Sequence, residues 1–529
     1  MQRGAGPGDI GEMGGGARGI ERHDQRFAGG KAGLRLLVQG AEVLPVDHRL
    51  ARAQTGGGKA RGDVAAGRRA TQVQQRALGT GAQQVGDQRL RIAKLRRALA
   101  AYLDETVEPK APAHLFNPQT LPSFADDALL NENARPWTRW WWPGGDVDAD
   151  TACAQLEDLN DAGFGGVEIQ PFNAGLAIIE DEAWQARINS FDSGDYYATL
   201  ARVMSCARRL DMQVYLNHLS GWPAGGPEVP VTEGMKEIRY AEKRVKGGRT
   251  INIELPAPEP GYNDIAMAVG EIFFGADLSN FVPEDGQLLA VLAAKPVSGK
   301  HASNPLDVRD TVQLDPDSVI QLSGFVDDGR LNWDAPEGNW SIIAIYAQPA
   351  GEAPTLIASE RSGYVIDHLD ADIVAGHYGY AYGPRTGLDA YYGDPFMGFF
   401  NDSLEFKLDR LGSADTLEEF KKRRGYDPTP HLPAIFIPAR DNFFLTEVGR
   451  QQPAPSFSLD ETDERIRHDY QKTVSDLIIE RFAGESADWA AARGLVSKAQ
   501  TYGSDFDVIA AMGQNTMPET EQLFAGGSE

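Results

Sequence analysis

Carboxylates and aromatic side chains recur at the ends of short apolar runs in this sequence. In GFFNDSLEF (398–406), Phe399 and Phe400 lead directly into Asn401, Asp402 and Glu405. Other runs supply further candidates of the same chemical types: Trp141, Trp142, Glu168, Asn217, His218, Trp222, Gln500, Tyr502, Glu519 and Glu521. In parallel α/β folds, strand ends of this kind meet on one face. Aromatic planes can stack on sugar rings, and two carboxylates can act as general acid and general base at a glycosidic bond. The pattern therefore favours a carbohydrate site.

Each candidate also has a structural interpretation. The tryptophan run fits core packing, because tryptophan is highly buried on average, and we expect two of its three members in the core. Asp402 could cap a helix that follows it, which would make Glu405 a solvated first-turn residue. His218 is of a type that is often structural. Glu168 points away from its apolar strand neighbours, and a carboxylate inside a barrel requires a partner. From the residues alone, these alternatives stay open.

Strands and helices alternate from residue 136 onward. The runs TRWWWPGG (138–145), GGVEIQP (165–171) and MQVYLNHL (212–219) are typical of strands. Between them, apolar residues recur at helical spacing, as at Ala152, Leu156 and Leu159. Asp150 is a candidate N-cap of the first helix and Gly163 its stop signal. This order predicts a parallel sheet with right-handed crossovers.

The texture changes between residues 235 and 350. RTINIEL, IFFGADL, QLLAVLAA, SVIQLS and NWSIIAIYA are short β-like runs separated by Gly, Pro and Asp clusters, which predicts an inserted all-β sandwich module. The α/β texture then returns, with strands predicted at 363–370, 397–405, 494–503 and near 515, and an amphipathic helix from Ile466 to Phe482. We therefore predict an α/β fold built on a (β/α)8-type, TIM-like barrel with six or seven of its strands, hence incomplete.

The predicted organisation has four parts. They are a disordered or mis-assigned segment (1–114), the first part of the barrel (115–234), the inserted module (235–350), and the continuation of the barrel, cut before its end (351–529). The first hundred residues carry 18 basic and 8 acidic residues, 20 glycines and a single aromatic, Phe27. Such a segment buries too little apolar surface to fold. It is either a basic arm for nucleic acid or not native coding sequence, and its lack of aromatic residues disfavours the arm.

The composition limits the classes of partner that the chain is expected to bind. The remainder of the chain has 33 basic and 68 acidic residues, and the pI of 4.8 disfavours nucleic acid and anionic lipid. No apolar run of about 18 residues predicts a membrane span, and no signal peptide follows Met1. Cys153 and Cys206 fall in helix-like stretches without metal-type spacing, and no disulfide framework is expected from them.

Seven motifs occur in an order that resembles one family. They are RPWTRWWWPGG, AGFGGVEIQ, GWPAGGP, GFFNDSLE, EEFKKRRGYD, RIRHDYQKTVSDLIIERF and PETE, and the resemblance is to glycoside hydrolase family 106, the α-L-rhamnosidases. It covers roughly residues 115 to 529. The resemblance implies a barrel with β-sandwich additions, which removes terminal α-L-rhamnose from oligosaccharides, polysaccharides or glycosides with inversion. It also implies calcium in the active site and a periplasmic or secreted location.

The same resemblance assigns roles to the acidic candidates. Glu405 and one of Glu519 and Glu521 are expected to be general acid and base, in an order that stays open. Glu168 and Glu521 are expected to bind Ca²⁺, a hard cation that takes oxygen ligands, or rhamnose hydroxyls. The chain departs from the family by ending soon after PETE and by placing Tyr502 where a histidine is expected. Two alternatives therefore accompany the rhamnosidase: an inactive carbohydrate-binding remnant, and a retaining barrel glycosidase acting on another sugar.

Overall fold

The computed structural model describes residues 135–173, 176, 181–258, 286–299, 311–443, 445–446 and 453–519. All of them belong to the unit Leu121–Glu529. The predicted disorder of residues 1–114, the predicted strand IFFGADL (272–278) and Glu521 lie outside the described residues.

The first elements alternate as strand and helix: β1 (Trp137–Pro143), α1 (Ala149–Asp161), β2 (Gly166–Phe172), α2 (Glu182–Ile188), α3 (Gly194–Arg209), β3 (Gln213–Asn217) and β4 (Gly225–Gly226). A 3-10 turn (Val231–Glu233) leads into an antiparallel part: β5 (Lys236–Lys246), β6 (Arg249–Glu254), β7 (Gln287–Ser298), β8 (Val312–Gln321), a 3-10 turn (Ser323–Phe325), β9 (Val326–Asp327), β10 (Arg330–Ala335) and β11 (Asn339–Pro349).

The remaining elements return to the mixed pattern: β12 (Tyr364–Val365), α4 (Ala371–Tyr382), a 3-10 turn (Leu388–Tyr391), β13 (Phe396–Asn401), β14 (Lys407–Leu408), α5 (Thr416–Arg424), a 3-10 helix (Thr429–Ile435), β15 (Asp441–Asn442), β16 (Phe457–Ser458), α6 (Asp463–Leu477), a π-helical stretch (Ile478–Gly484), α7 (Glu485–Ala491), β17 (Val496–Gln500), α8 (Val508–Met512) and β18 (Met517–Glu519).

Six strands form one parallel sheet in the order β1-β2-β3-β13-β17-β18. Each strand is added beside the preceding one, which is the winding of a barrel rather than of a doubly wound sheet. The buried strand β2 carries Val167 and Ile169 toward the helices, and both side chains are fully buried. The three strands predicted first in the sequence are thus confirmed as neighbours in one sheet.

The parallel sheet is strongly curled. In a flat sheet with strands about 4.8 Å apart, β1 and β18 would be separated by roughly 24 Å. Instead, Nη2 of Arg139 in β1 lies 2.6 Å from Oε1 of Glu519 in β18, and Nζ of Lys498 in β17 lies 2.6 Å from Oε2 of Glu168 in β2. The two edge strands are not paired with each other among the described residues. The sheet is therefore a half-barrel, and the described part of the chain shows no full TIM barrel.

Helices α1 and α3 pack side by side, and two sequence predictions on them are wrong. The N-cap of α1 is Asp148, whose carboxylate accepts a hydrogen bond of 2.8 Å from the amide of Thr151. Asp150 lies in the first helical turn, where the helix dipole favours it. Cys153 and Cys206 form a disulfide between the two helices. Their separation of 53 residues gives no sequence signal, because only the crossover through β2 brings the helices together.

Among the described residues, strands β5–β11 together with β16 form two sheets. The larger has the order β16-β8-β7-β11-β5, in which β16 joins β8 in parallel, and the smaller has the antiparallel order β6-β10-β9. Strand β11 is buried on both faces. Its Ile342 and Ala344 belong to a hydrophobic cluster with Ile251 and Trp333 of the smaller sheet. On the opposite face, its Ile343 belongs to the main core with the residues around the half-barrel. Alternation along one strand therefore joins the antiparallel part to the rest of the unit.

The run at 363–370 is not a strand of the half-barrel, contrary to the sequence prediction. Tyr364 and Val365 pair antiparallel with Gly225 and Gly226 of β4, and Ile366 adds a single bridge to Gly234. Asp370 then caps α4 by accepting hydrogen bonds from the amides of Asp372 and Ile373. The extended segment is too short for a strand of the half-barrel, because α4 begins directly after Asp370.

Candidate active site

Three aromatic rings form a row along the carboxyl ends of the first strands. Trp141, near the end of β1, is 59% exposed, and its ring centroid lies 5.7 Å from that of Phe172 at the end of β2. Phe172 lies 5.3 Å from Trp222 in the loop after β3. The exposed face of Trp141 can stack on a sugar ring, whereas Phe172 is 4% exposed and connects Trp141 to Trp222, so the row offers one open stacking face.

The row ends on a carboxylate. Nε1 of Trp222 donates a hydrogen bond of 3.0 Å to Oε2 of Glu405, which is 8% exposed. The structural interpretation of this segment is wrong, because no helix follows β13 and residues 402–406 have no regular secondary structure. Asp402 accepts a hydrogen bond from the adjacent amide of Ser403 and caps nothing. The stretch GFFNDSLEF is thus a strand that delivers Glu405 to the site.

The backbone at Glu405 is held by the loop that leaves β17. The amide of Leu404 donates a hydrogen bond of 2.8 Å to the carbonyl of Tyr502. Gly503 follows at φ +100°, and a Cβ there would lie 2.8 Å from the carbonyl carbon of Leu404 and 2.9 Å from the amide nitrogen of Glu405. Only glycine combines this backbone angle with so close an approach. The glycine of TYG therefore fixes the position of Glu405.

Four charged side chains form a cluster inside the half-barrel. Lys498 Nζ lies 2.6 Å from Glu168 Oε2 and 2.9 Å from Glu519 Oε2. Arg139 lies 3.2 Å from Glu168 Oε1 and 2.6 Å from Glu519 Oε1. The two cations also sit over the ring of Phe400, with Arg139 at 4.5 Å. Each carboxylate predicted here thus has two cationic partners, as a buried charge requires.

Burial and charge act against each other in this charged cluster. Burial raises the pKa of Glu168, and Lys498 opposes that effect. For Lys498, burial lowers the pKa, but Glu168 and Glu519 outweigh it and the pKa is raised. Arg139 behaves in the same way, with Glu168 as its strongest opposing partner. The cluster therefore keeps its two cations protonated.

The predicted calcium ligand Glu168 does not fit that role in this structure. Its Oε1 accepts a hydrogen bond of 2.8 Å from Gln170, and its Oε2 accepts from Lys498. A cation would have to displace an ammonium group from it. Among the described residues, no group of three His, Cys, Asp or Glu side chains could hold a metal ion. Glu521, the second predicted ligand, lies outside them.

The remaining predicted residues lie near the row or behind it. Trp142 is 3% exposed and packs in the core against Trp140 and Tyr196. This position excludes the predicted contact with a substrate and fits the expectation that two of the three tryptophans belong to the core. Asn217 is buried, and its Nδ2 donates a hydrogen bond of 3.3 Å to the carbonyl of Gly221. It therefore orients the loop that carries Trp222.

His218, Gln500 and Tyr502 are all buried. Burial lowers the pKa of His218 well below its usual range, and the nearby His377 and His368 lower it further. Gln500 pairs in register with Glu519. Tyr502 contributes its carbonyl to the amide of Leu404. Their burial places these three side chains inside the fold.

Three site residues escaped the sequence reasoning: Phe172, Arg139 and Lys498. Phe172 follows Pro171, where the sequence predicts the end of the strand, but β2 includes Phe172. Arg139 and Lys498 each precede a predicted residue by two positions, namely Trp141 and Gln500. Because strand side chains alternate between faces, the period of two places them on the same face. That period was the available signal.

A half-barrel with an exposed tryptophan and a largely buried carboxylate at its strand ends is compatible with a carbohydrate-active α/β protein. The chain belongs to the glycoside hydrolase family 106, described as α-L-rhamnosidase, whose sequence profile matches residues 130–282 and 290–520. The resemblance of the seven motifs is thereby confirmed.

Known proteins similar to this chain include the following two. A protein of Formosa agariphila named "Putative beta-glucuronidase" is 25% identical over 412 residues, which cover 74% of this chain and 31% of that protein. A solved structure of a rhamnosidase from Novosphingobium sp. PP1Y superimposes with a TM-score of 0.48 at 15% identity, covering 73% of this chain and 48% of that one. The chain thus spans about a third and about half of their respective lengths. No helix in the described part of the chain has the length and apolarity needed to cross a bilayer.

Proposed function

We propose that this chain is part of an α-L-rhamnosidase that removes terminal α-L-rhamnose from glycans or glycosides by an inverting acid–base mechanism. The observation that carries the proposal is the row Trp141, Phe172 and Trp222, which leads to the buried carboxyl group of Glu405. Membership of the family supports the glycosidase class.

Glu405 is the proposed first catalytic carboxyl group. Its hydrogen bond from Trp222 orients the carboxylate at the end of the aromatic row. The second carboxyl group is proposed to come from the PETE motif. Glu519 has Arg139 and Lys498 as partners, so its participation would require a rearrangement of this cluster, and Glu521 is the alternative. An inverting enzyme holds its two carboxyl groups about 6.5–9.5 Å apart, which leaves room for the attacking water.

The disulfide between α1 and α3 supports a periplasmic or secreted location. Disulfides persist in oxidising compartments and are rare in the bacterial or eukaryotic cytosol. Calcium dependence stays a proposal that rests on the family resemblance.

The experiment is hydrolysis of p-nitrophenyl α-L-rhamnoside by the full chain, with calcium and with a chelator. We expect release of nitrophenol by the wild type and its loss, by about 100-fold or more, in Glu405→Gln, because a positioned acid or base contributes about 10²–10⁴-fold. Proton NMR of the first sugar released distinguishes inversion from retention. Turnover that is unchanged in Glu405→Gln would remove this residue from the mechanism, and rhamnoside binding without turnover would favour a carbohydrate-binding remnant.

A second candidate substrate is a β-glucuronide. It is favoured by the name of the relative from Formosa agariphila. The same assay with p-nitrophenyl β-D-glucuronide decides between the two sugars. Preference for the glucuronide by kcat/KM would overturn the rhamnosidase proposal and keep the glycosidase class.

A further inference from the structure

Four residues form a closed circuit of contacts around the candidate catalytic carboxyl group. Trp222 donates its indole hydrogen bond to Glu405. The backbones of Trp222 and Thr355 exchange two hydrogen bonds, of 3.2 and 2.6 Å. Nζ of Lys407 then donates a hydrogen bond of 2.9 Å to the hydroxyl of Thr355. Lys407 is two residues from Glu405 in an extended segment, which closes the circuit.

A buried ion pair anchors one side of this circuit. Lys407 and Glu352 are 3% and 1% exposed, and Lys407 Nζ lies 3.4 Å from Glu352 Oε1. The other carboxylate oxygen of Glu352 accepts a hydrogen bond of 3.0 Å from the amide of Lys407. One carboxylate therefore holds both the side chain and the backbone of Lys407, and with them the segment that carries Glu405.

The other side of the circuit requires a glycine. Gly221, which precedes Trp222, has φ +74°, and a Cβ there would lie 2.3 Å from the carbonyl oxygen of Thr355. The loop of Trp222 can thus approach Thr355 only without a side chain at this position. This close approach fixes the backbone segment that carries the indole of Trp222.

We infer that Lys407, Glu352 and Thr355 are positioning residues. They hold the indole of Trp222 against Glu405 and so fix the distance between the aromatic row and the candidate catalytic carboxyl group. The inference rests on the proposed function, because it gives Glu405 its role. Lys407 and Glu352 are buried and need not touch a substrate. Their effect passes through Thr355 to Trp222 and through two backbone residues to Glu405.

The test uses isosteric variants of the full chain. Thr355→Val keeps the shape of the side chain and removes the hydroxyl, whereas Thr355→Ser keeps the hydroxyl and serves as the matched control. The first readout is the ¹⁵N-indole NMR signal of Trp222, assigned among the nine tryptophans by its loss in Trp222→Phe. We expect this signal to shift or broaden in Thr355→Val and to stay at its wild-type position in Thr355→Ser.

The second readout is a double-mutant cycle on kcat/KM with the aryl rhamnoside. We expect Thr355→Val to lower kcat/KM about tenfold or more in the wild-type background, mainly through kcat, because small displacements of a reacting group are costly. In the Trp222→Phe background it should lower kcat/KM less than twofold. A merely structural role would give the same loss in both backgrounds, together with a matching fall in thermal stability.

The outcomes separate the inference from the proposed function. An unchanged indole signal in Thr355→Val overturns the inference, whatever the activity. A wild type that hydrolyses neither glycoside overturns the proposed function, while the indole signal still decides the positioning role. If Thr355→Val does not fold, the neutral double variant Glu352→Gln with Lys407→Gln replaces it, and the same shift of the indole signal is expected.

Discussion

Arg139 in the first strand of the parallel sheet and Glu519 in the last lie 2.6 Å apart, although 380 residues separate them in sequence. A flat sheet would place them far beyond the reach of their side chains. The contact is therefore possible only because the sheet is curled. Lys498 pairs with both Glu519 and Glu168 and so links the last strand to the second. The half-barrel thus has a charged interior in which each charge has partners of opposite sign.

Removing Lys498 should destabilise the half-barrel. Lys498→Met leaves Glu168, which is 3% exposed, with one cation fewer, and breaking a buried pair costs about 3–5 kcal/mol of unfolding free energy. The measurement is urea unfolding followed by circular dichroism. The matched control is Lys472→Met, which removes an ion pair of a half-exposed lysine with Asp476 and should cost at most about 1 kcal/mol. Equal losses in the two variants would contradict the role of the charged cluster.

Trp141 and Trp142 should respond to substitution in opposite ways. Trp142→Ala empties a core position and should lower the unfolding free energy by about 3–5 kcal/mol. Trp141→Ala alters a side chain that is 59% exposed and should change stability by less than about 1 kcal/mol. It should instead weaken rhamnoside binding several-fold, because a stacked ring face buries apolar area worth on the order of 1 kcal/mol. Calorimetry of binding and urea unfolding test the two residues side by side.

The strand–helix order of residues 136–219 could be predicted from the sequence because its information is local. The alternating runs and the helical spacing of Ala152 and Leu156 depend only on neighbouring residues, and the structure buries both side chains. The ordered motifs likewise indicated the family, since they need no knowledge of contacts. What the sequence lacks is the partner of each polar group.

The contacts that define the site join distant parts of the chain. Trp222 meets Glu405 across 183 residues, and Lys498 meets Glu168 across 330. Alternation with Gln500 places Lys498 on the same strand face, but nothing local shows that the curl of the sheet brings this face to Glu168. The disulfide was missed for the same reason, because it depends on two helices lying on the same side of β2. The run at 363–370 gives the opposite error, a strand predicted where the half-barrel has none. Its apolar residues resemble a strand, but Asp370 already begins α4.

The disulfide gives a prediction on redox state and stability. A chain with two cysteines that are both in the disulfide should show no free thiol in denaturant before reduction, and two after it. Closing a loop of 53 residues stabilises the folded state by about 4 kcal/mol in the chain-entropy estimate. We therefore expect Cys153→Ala with Cys206→Ala to lower the urea midpoint in oxidising buffer, and to match the wild type measured with a reductant. A wild type insensitive to the reductant would contradict the pairing.

Buried histidines should make the protein sensitive to acid. Burial lowers the pKa of His368 to about 3, and that of His218 falls well below its usual range by the same cause. A depressed pKa means that the unfolded chain binds protons more readily than the folded one. The stability contributed by these neutral rings is therefore complete above about pH 6.5, the usual histidine pKa, and is lost as the pH falls toward 3.

The acid sensitivity can be assigned with one variant. His368 lies between the rings of Phe406 and Phe482, with Nδ1 2.8 Å from the carbonyl oxygen of Ile366. His368→Gln keeps a hydrogen-bond donor and does not titrate, so unfolding near pH 5 should take up about one proton fewer than in the wild type. A pH slope that His368→Gln leaves unaltered would contradict the assignment.

Gly503 should be required for activity more than for stability. An alanine there would press its Cβ against the backbone of Leu404 and Glu405, at 2.8–2.9 Å. Gly494, at the other end of β17, has a comparable positive φ of +68° and nothing within 4 Å of the added Cβ. Gly494→Ala therefore carries the strain of the left-handed backbone, on the order of 1–2 kcal/mol, without displacing the site.

If Glu405 acts as proposed, Gly503→Ala should lower kcat/KM with the aryl rhamnoside by about 10–100-fold, because a displacement of about 1 Å can cost that much. Gly494→Ala should change it less than about twofold, and an equal loss in the two variants would show that backbone strain, rather than the position of Glu405, limits the reaction.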